Sequence, residues 1–134
     1  MYPKSLTVAA FGLLAFAGCT HAASKEKPEM VQAGEPVTCI QTQNIRSTDV
    51  IDDKTIDFKM NGGVTYRNTL PYSCSGLGFE KSFAYKTSVA RLCNVDTITV
   101  LYTGGGPRRG ATCGLGEFVP VKPAEKPAET PASE

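Results

Sequence analysis

Hydrophobic and polar positions are organised very differently along this chain. Residues 6–17 (LTVAAFGLLAFA) form an unbroken run of apolar and small side chains behind a single cation, Lys4. At 12 residues this run is shorter than the roughly 20 that a bilayer-spanning helix needs, and it fits an export leader. Residues 19–36 then carry no periodicity, and strict alternation begins further on. Ile56, Phe58 and Met60 alternate with Thr55, Asp57 and Lys59, and Val64, Tyr66 and Leu70 alternate with Thr65, Arg67 and Thr69. A period of two marks half-buried strands, and Asn61-Gly62-Gly63 between them is a hairpin signal. Because opposed residues share a face, the loop must contain an odd number of residues to match the two apolar faces. A three-residue loop sets Met60 against Val64, Phe58 against Tyr66 and Asp57 against Arg67, with Gly63 in a left-handed conformation.

The same reading predicts a strand over residues 45–51, turning at Asp52-Asp53-Lys54, with Val50-Ile51 as the place for a bulge. Phe79, Phe83, Tyr85 and Val89 predict one strand over residues 79–89, followed by a helical turn within residues 87–92. Residues 96–102 and 118–121 complete about six short strands with Gly-rich turns and no long helix. The expectation is an all-β domain, a small antiparallel barrel or sandwich. Its bounds are residues 37–121, preceded by a leader (1–18) and a flexible tether (19–36). A Pro/Ala/Glu/Lys tail follows over residues 122–134.

Composition narrows the chemistry. The 134 residues carry 14 basic and 13 acidic side chains, a net charge of +1, which gives no basic excess for nucleic acid. The one histidine is His21, outside the expected domain, so Ser-His-Asp, Cys-His and His-metal sites lack their central residue. Of the 5 cysteines, Cys39, Cys74, Cys93 and Cys113 fall inside the domain at gaps of 35, 19 and 20 residues. No close Cys-x-x-Cys pair is present for zinc, and no metal or cofactor is expected. Two disulfides are the expectation, since so small a core is marginal alone. Four cysteines allow three pairings, and spacing favours 74–93 as a local clamp with 39–113 as a tie across the domain ends.

Residues 104–110 (GGGPRRG) bring Arg108 and Arg109 together with free backbone amides, an anion-binding candidate that is otherwise a hydrophilic hairpin loop. Asp49, Asp52, Asp53 and Asp57 suggest a paired-acid site, but Asp57 already has Arg67, and Asp52-Asp53 suit a turn. The echoing Cys74-Ser75-Gly76-Leu77-Gly78 and Cys113-Gly114-Leu115-Gly116 predict tight turns beside a disulfide.

Phe16-Ala17-Gly18-Cys19 resembles the lipobox of bacterial lipoproteins, with Phe16 in place of the usual Leu. That resemblance implies cleavage before Cys19, a diacylglycerol on its thiol and an acyl chain on the new amine. Thr20 after the cysteine, by analogy with enteric lipoproteins, implies outer-membrane sorting and a periplasmic face. Ordinary secretion is the competing reading: cleavage after Ala17 would leave Cys19 as an odd fifth thiol, and cleavage after Ala22 would leave an even cysteine count. Within the domain, Cys39-Ile40, Ile45-Arg46-Ser47-Thr48, Asp52 to Ile56, Tyr66 to Leu70, Cys74-x-Gly76-Leu77, Leu92-Cys93-x-x-Asp96 and Cys113 to Gly116-x-Phe118 follow one another. This order resembles a group of small Gram-negative lipoproteins known only as a domain of unknown function. The resemblance implies a lipid anchor and disulfides and carries no activity. The functional expectation is a non-catalytic envelope lipoprotein, a binding or assembly module for an envelope protein or glycan. The alternative is a small periplasmic hydrolase using carboxylates such as Asp96.

Overall fold

The structure, a computed structural model, describes residues 28–106 and 108–125. Among the described residues ten short strands, a 3-10 turn and one α-helical turn follow in order: β1 (Met30–Gln32), β2 (Cys39–Gln41), the 3-10 turn (Thr42–Asn44), β3 (Ile45–Val50), β4 (Thr55–Met60) and β5 (Thr65–Thr69). Then come α1 (Leu77–Glu80), β6 (Phe83–Tyr85), β7 (Arg91–Cys93), β8 (Thr97–Tyr102), β9 (Arg108–Gly114) and β10 (Phe118–Pro123). The strands form three antiparallel sheets, ordered β1-β10-β5-β4-β3, β2-β7 and β6-β8-β9. Each sheet keeps two edge strands, so the all-β expectation holds while none of the three closes into a barrel.

The hairpin β4–β5 takes the register argued from side-chain parity. Phe58 opposes Tyr66 and Asp57 opposes Arg67, the Met60 N–H donates to the Val64 carbonyl at 2.8 Å, and Gly63 adopts φ +89°. Phe58 is fully buried and meets Phe118 and Phe83 edge-on, with ring centroids 5.5 and 6.2 Å away. These aromatics join one core built from all three sheets, with Ile40 and Leu92 from β2–β7 and Ile98 and Val100 from β8. Burying side chains of this size stabilises by roughly 1.5–3 kcal/mol each, the main driving term for the fold.

The outer face of the five-stranded sheet is ionic. Asp49 and Asp57 lie directly opposite one another, an arrangement that repels unless cations intervene. Lys59 reaches Asp49 at 2.6 Å, and Arg67 grips Asp57 with two bonds of 2.8 and 2.9 Å. The Asp57 hydrogen bonds hold the Arg67 guanidinium above its ordinary pKa, opposed by burial and assisted by the charges of Asp57 and Asp52. On the inner face, fully buried Asn68 makes a two-way clamp: its Nδ2 donates to the Gly116 carbonyl at 2.6 Å, and its Oδ1 accepts from the Gly116 N–H at 2.9 Å. A Cβ on Gly116 would collide with the Thr69 carbonyl, so this close approach requires glycine.

Several expectations are corrected. The disulfides are Cys39–Cys93 and Cys74–Cys113, not 74–93 and 39–113. Cys39 and Cys93 are cross-strand neighbours in β2–β7, a pairing made by strands too short to show a pattern. Cys74 and Cys113 join the two echoing Cys/Gly/Leu segments to each other, with Leu77 and Leu115 buried beside them. The single strand expected over 79–89 is instead α1 followed by the short β6, and the helical turn expected within 87–92 gives way to β7. Phe79 therefore sits on a helix and is exposed rather than in the core. The bulge falls between Ile45 and Ser47, not at Val50-Ile51. Residues 30–32, within the expected tether, form β1 on the edge of β10, which itself continues to Pro123 in the expected tail.

Candidate functional site

A hydrolytic role would depend on carboxylates free to meet a substrate. Asp96 lies in the turn between β7 and β8, where its Oδ2 accepts from the Cys93 N–H at 2.7 Å while its own N–H donates to the Cys93 carbonyl. Asp53 accepts from the Gly78 N–H at 2.6 Å and its carbonyl accepts from Cys74 N–H, tying the start of α1 to the β3–β4 turn. Asp52 accepts from the Lys54 N–H at 2.7 Å inside that turn. Together with the Asp49–Lys59 and Asp57–Arg67 pairs, these contacts give each aspartate a role in holding backbone or balancing charge. Aspartate suits such turns because its short acceptor reaches a nearby backbone amide, two residues on for Asp52 and three residues back for Asp96.

A cavity of about 280 Å³ opens where β2 and the 3-10 turn meet the β4–β5 loop. Ile40, Met60, Val64 and Tyr66 line it beside Val37 and Cys39, and three amide-bearing residues, Gln41, Asn44 and Asn61, complete the lining. The Asn61 N–H donates to the Asn44 carbonyl at 2.7 Å, which fixes the loop against the turn and so holds the backbones of these two residues together. Its lining carries no charged side chain, and Val64 is left 45% exposed at its mouth. Apolar walls with a few convergent polar groups are the usual make-up of a small-molecule site. Amides can both donate and accept, so this set suits an uncharged ligand with a small apolar part.

The two arginines singled out from the sequence part company. Residues adjacent in a strand point to opposite faces, and both lie in β9. Arg108 stands over the Tyr102 ring at 6.0 Å, and that ring in turn packs against Gly76 and Gly110. Arg109 instead lines a groove of about 120 Å³ on the outer face of β6-β8-β9. Cys39, Cys74, Cys93 and Cys113 are structural, and Cys19 lies outside the described residues. Among the described residues no cluster of three or more His, Cys, Asp or Glu side chains could hold a metal ion.

A model for a family of unknown function, DUF6491, matches residues 2–129. The chain belongs to this family. The match spans the β domain together with most of the leader and tail. No curated protein and no solved structure matches the chain. Sequence reasoning missed the cavity because Asn61 and Val64 were legible only as hairpin residues, and the 3-10 turn facing them has no local pattern. It missed the Asn68–Gly116 clamp for a related reason: the partners are 48 residues apart, and only the meeting of β5 with the approach to β10 joins them.

Proposed function

We propose that this DUF6491 protein is an exported, lipid-anchored lipoprotein of the Gram-negative envelope, held at the periplasmic face of the outer membrane through acylated Cys19. In this reading its β domain binds a ligand or partner and does no catalysis. The uncharged cavity between the 3-10 turn and the β4–β5 loop carries the binding reading, because its apolar walls and three amides suit recognition of a neutral group. The bonded aspartates support it as well, since a hydrolytic acid needs a carboxylate free to meet substrate. Two disulfides support export, as they persist in oxidising compartments.

The anchor is tested by fractionation and mass spectrometry of the mature N-terminus. The wild type should be recovered from membranes with an acylated Cys19, and Cys19→Ala should accumulate uncleaved or appear soluble. Soluble, unlipidated wild-type protein beginning at Ala23 would refute the anchor. The cavity is tested by screening neutral glycans and small amides against methyl signals of Met60 and Val64. Asn44→Ala should weaken any ligand that moves them, and a ligand indifferent to Asn44→Ala and Asn61→Ala would refute this assignment.

A further inference from the structure

The geometry points to an oxyanion-binding face on the three-stranded sheet, separate from the uncharged cavity. Strand alternation places Ile98 and Val100 inward, fully buried, and sends Thr97, Thr99 and Leu101 outward. On that outward face Ala84, Thr99 and Thr112 stand in one cross-strand row, and the small Ala84 leaves the row open as the floor of a groove. Register sets a cation toward each end. Arg109 opposes Leu101 on the β9 side, and Lys86 follows Tyr85, which opposes Ile98, so Lys86 stands beside Thr97.

Among the residues lining this groove both ionisable cations are present and no carboxylate is. The domain's ion-paired acids lie elsewhere: Asp49 and Asp57 on the five-stranded sheet, with Asp96 bonded within its turn. Glu80 is directed to Thr103. Among the described residues neither Lys86 nor Arg109 has a carboxylate partner, whereas Arg67 and Lys59 do. The hydroxyls complete the site. Thr99 Oγ1 and Thr112 Oγ1 lie 3.0 Å apart, so when Thr112 donates to Thr99 the Thr99 proton is left to donate into the groove. A guanidinium, an ammonium and hydroxyl donors around one trough match a phosphate or carboxylate group on an extended ligand. Arg108, stacked on Tyr102 on the opposite face, takes no part.

The experiment is a titration of the full chain at low salt, followed by the amide and methyl signals of Thr97, Thr99 and Arg109. Inorganic phosphate should move them saturably, and sodium chloride at matched ionic strength should not. Lys86→Gln and Arg109→Gln should each weaken phosphate by about tenfold, the size of one lost charge-assisted bond. Thr99→Val should weaken it less, and Arg108→Gln should leave it unchanged. Glycerol phosphate, used as a second probe, separates the sources. Tighter binding than inorganic phosphate marks a lipid headgroup or polymer phosphodiester, and weaker binding marks the free ion. Shifts reproduced by chloride, or phosphate affinity retained in the Lys86→Gln/Arg109→Gln double variant, would overturn the proposal.

Discussion

Asn68→Ala removes the only polar side chain among the fully buried ones of the described residues, and its cost can be worked from its two bonds to Gly116. Truncation leaves the Gly116 N–H and carbonyl without their partner, and each orphaned group costs roughly 1–3 kcal/mol. Gly116 is half-exposed, so water recovers part of this, and the expected loss is about 2–4 kcal/mol. Small domains have a total stability of roughly 5–15 kcal/mol and lose about 4–8 °C of Tm per kcal/mol, so Tm should fall by about 8–32 °C. Asn68→Asp sharpens the test. It keeps one acceptor for the Gly116 N–H but turns a second oxygen toward the Gly116 carbonyl, where only a donor fits. Burial and that carbonyl raise the folded pKa of the introduced carboxyl above its unfolded value of about 4. Its stabilising, protonated form is therefore complete below the unfolded pKa and is lost as pH rises through the folded one. Asn68→Asp should be less stable than Asn68→Ala at pH 7 and should regain ground on wild type near pH 4. Urea unfolding followed by circular dichroism at both pH values, with disulfides intact, reads this directly. An Asn68→Ala loss below about 1 kcal/mol would show that the clamp does not hold the approach to β10.

Two further outcomes follow from the framework. Asp57→Arg should destabilise by about 1–3 kcal/mol, because Asp57 is only 3% exposed and Arg67 would face a like charge. Adding Arg67→Asp should recover part of that loss, and equal urea midpoints for the single and double variants would refute the coupling. Reduction should unfold the domain, since bridges closing 54 and 39 residues each carry a loop-closure entropy of about 4 kcal/mol. Non-reducing peptide maps should recover Cys39 with Cys93 and Cys74 with Cys113, and a thermal melt insensitive to reductant would contradict the expectation.

What was legible in the sequence was local. The β4–β5 register followed from parity across Asn61-Gly62-Gly63, because a hairpin joins neighbours and one slipped residue would send Phe58 to solvent. The ends of the chain were harder. Met30–Gln32 has no distinctive pattern, and its strand exists because β10 offers an edge, as the Ala33 N–H to Pro120 carbonyl bond of 2.7 Å illustrates. Disulfide pairing failed for the same reason, since β2 and β7 are three residues each and meet only through the assembled core. Of the binding candidates, Arg109 was legible as a cation but not as a groove residue. Its separation from Arg108 depends on β9 being a strand where a loop was expected.

The edge pairing of β1 with β10 also gives the chain a mechanical character. A pull on the N-terminal side directed away from the sheet loads Met30 first and peels β1 from β10 one bond at a time, since Met30–Gln32 pairs antiparallel with Pro123–Val121 at the sheet edge. Peeling then releases the Val37–Phe118 bridge and stops at Cys39, where the load passes into the covalent link to Cys93. Fully drawn out, the nine steps from Met30 to Cys39 reach at most about 30 Å, so the slack is that length less the span the folded segment already covers. The strand is thus a length of slack, and the first disulfide is the stop beyond which a pull on this end reaches the residues between Cys39 and Cys93 only through a covalent bond.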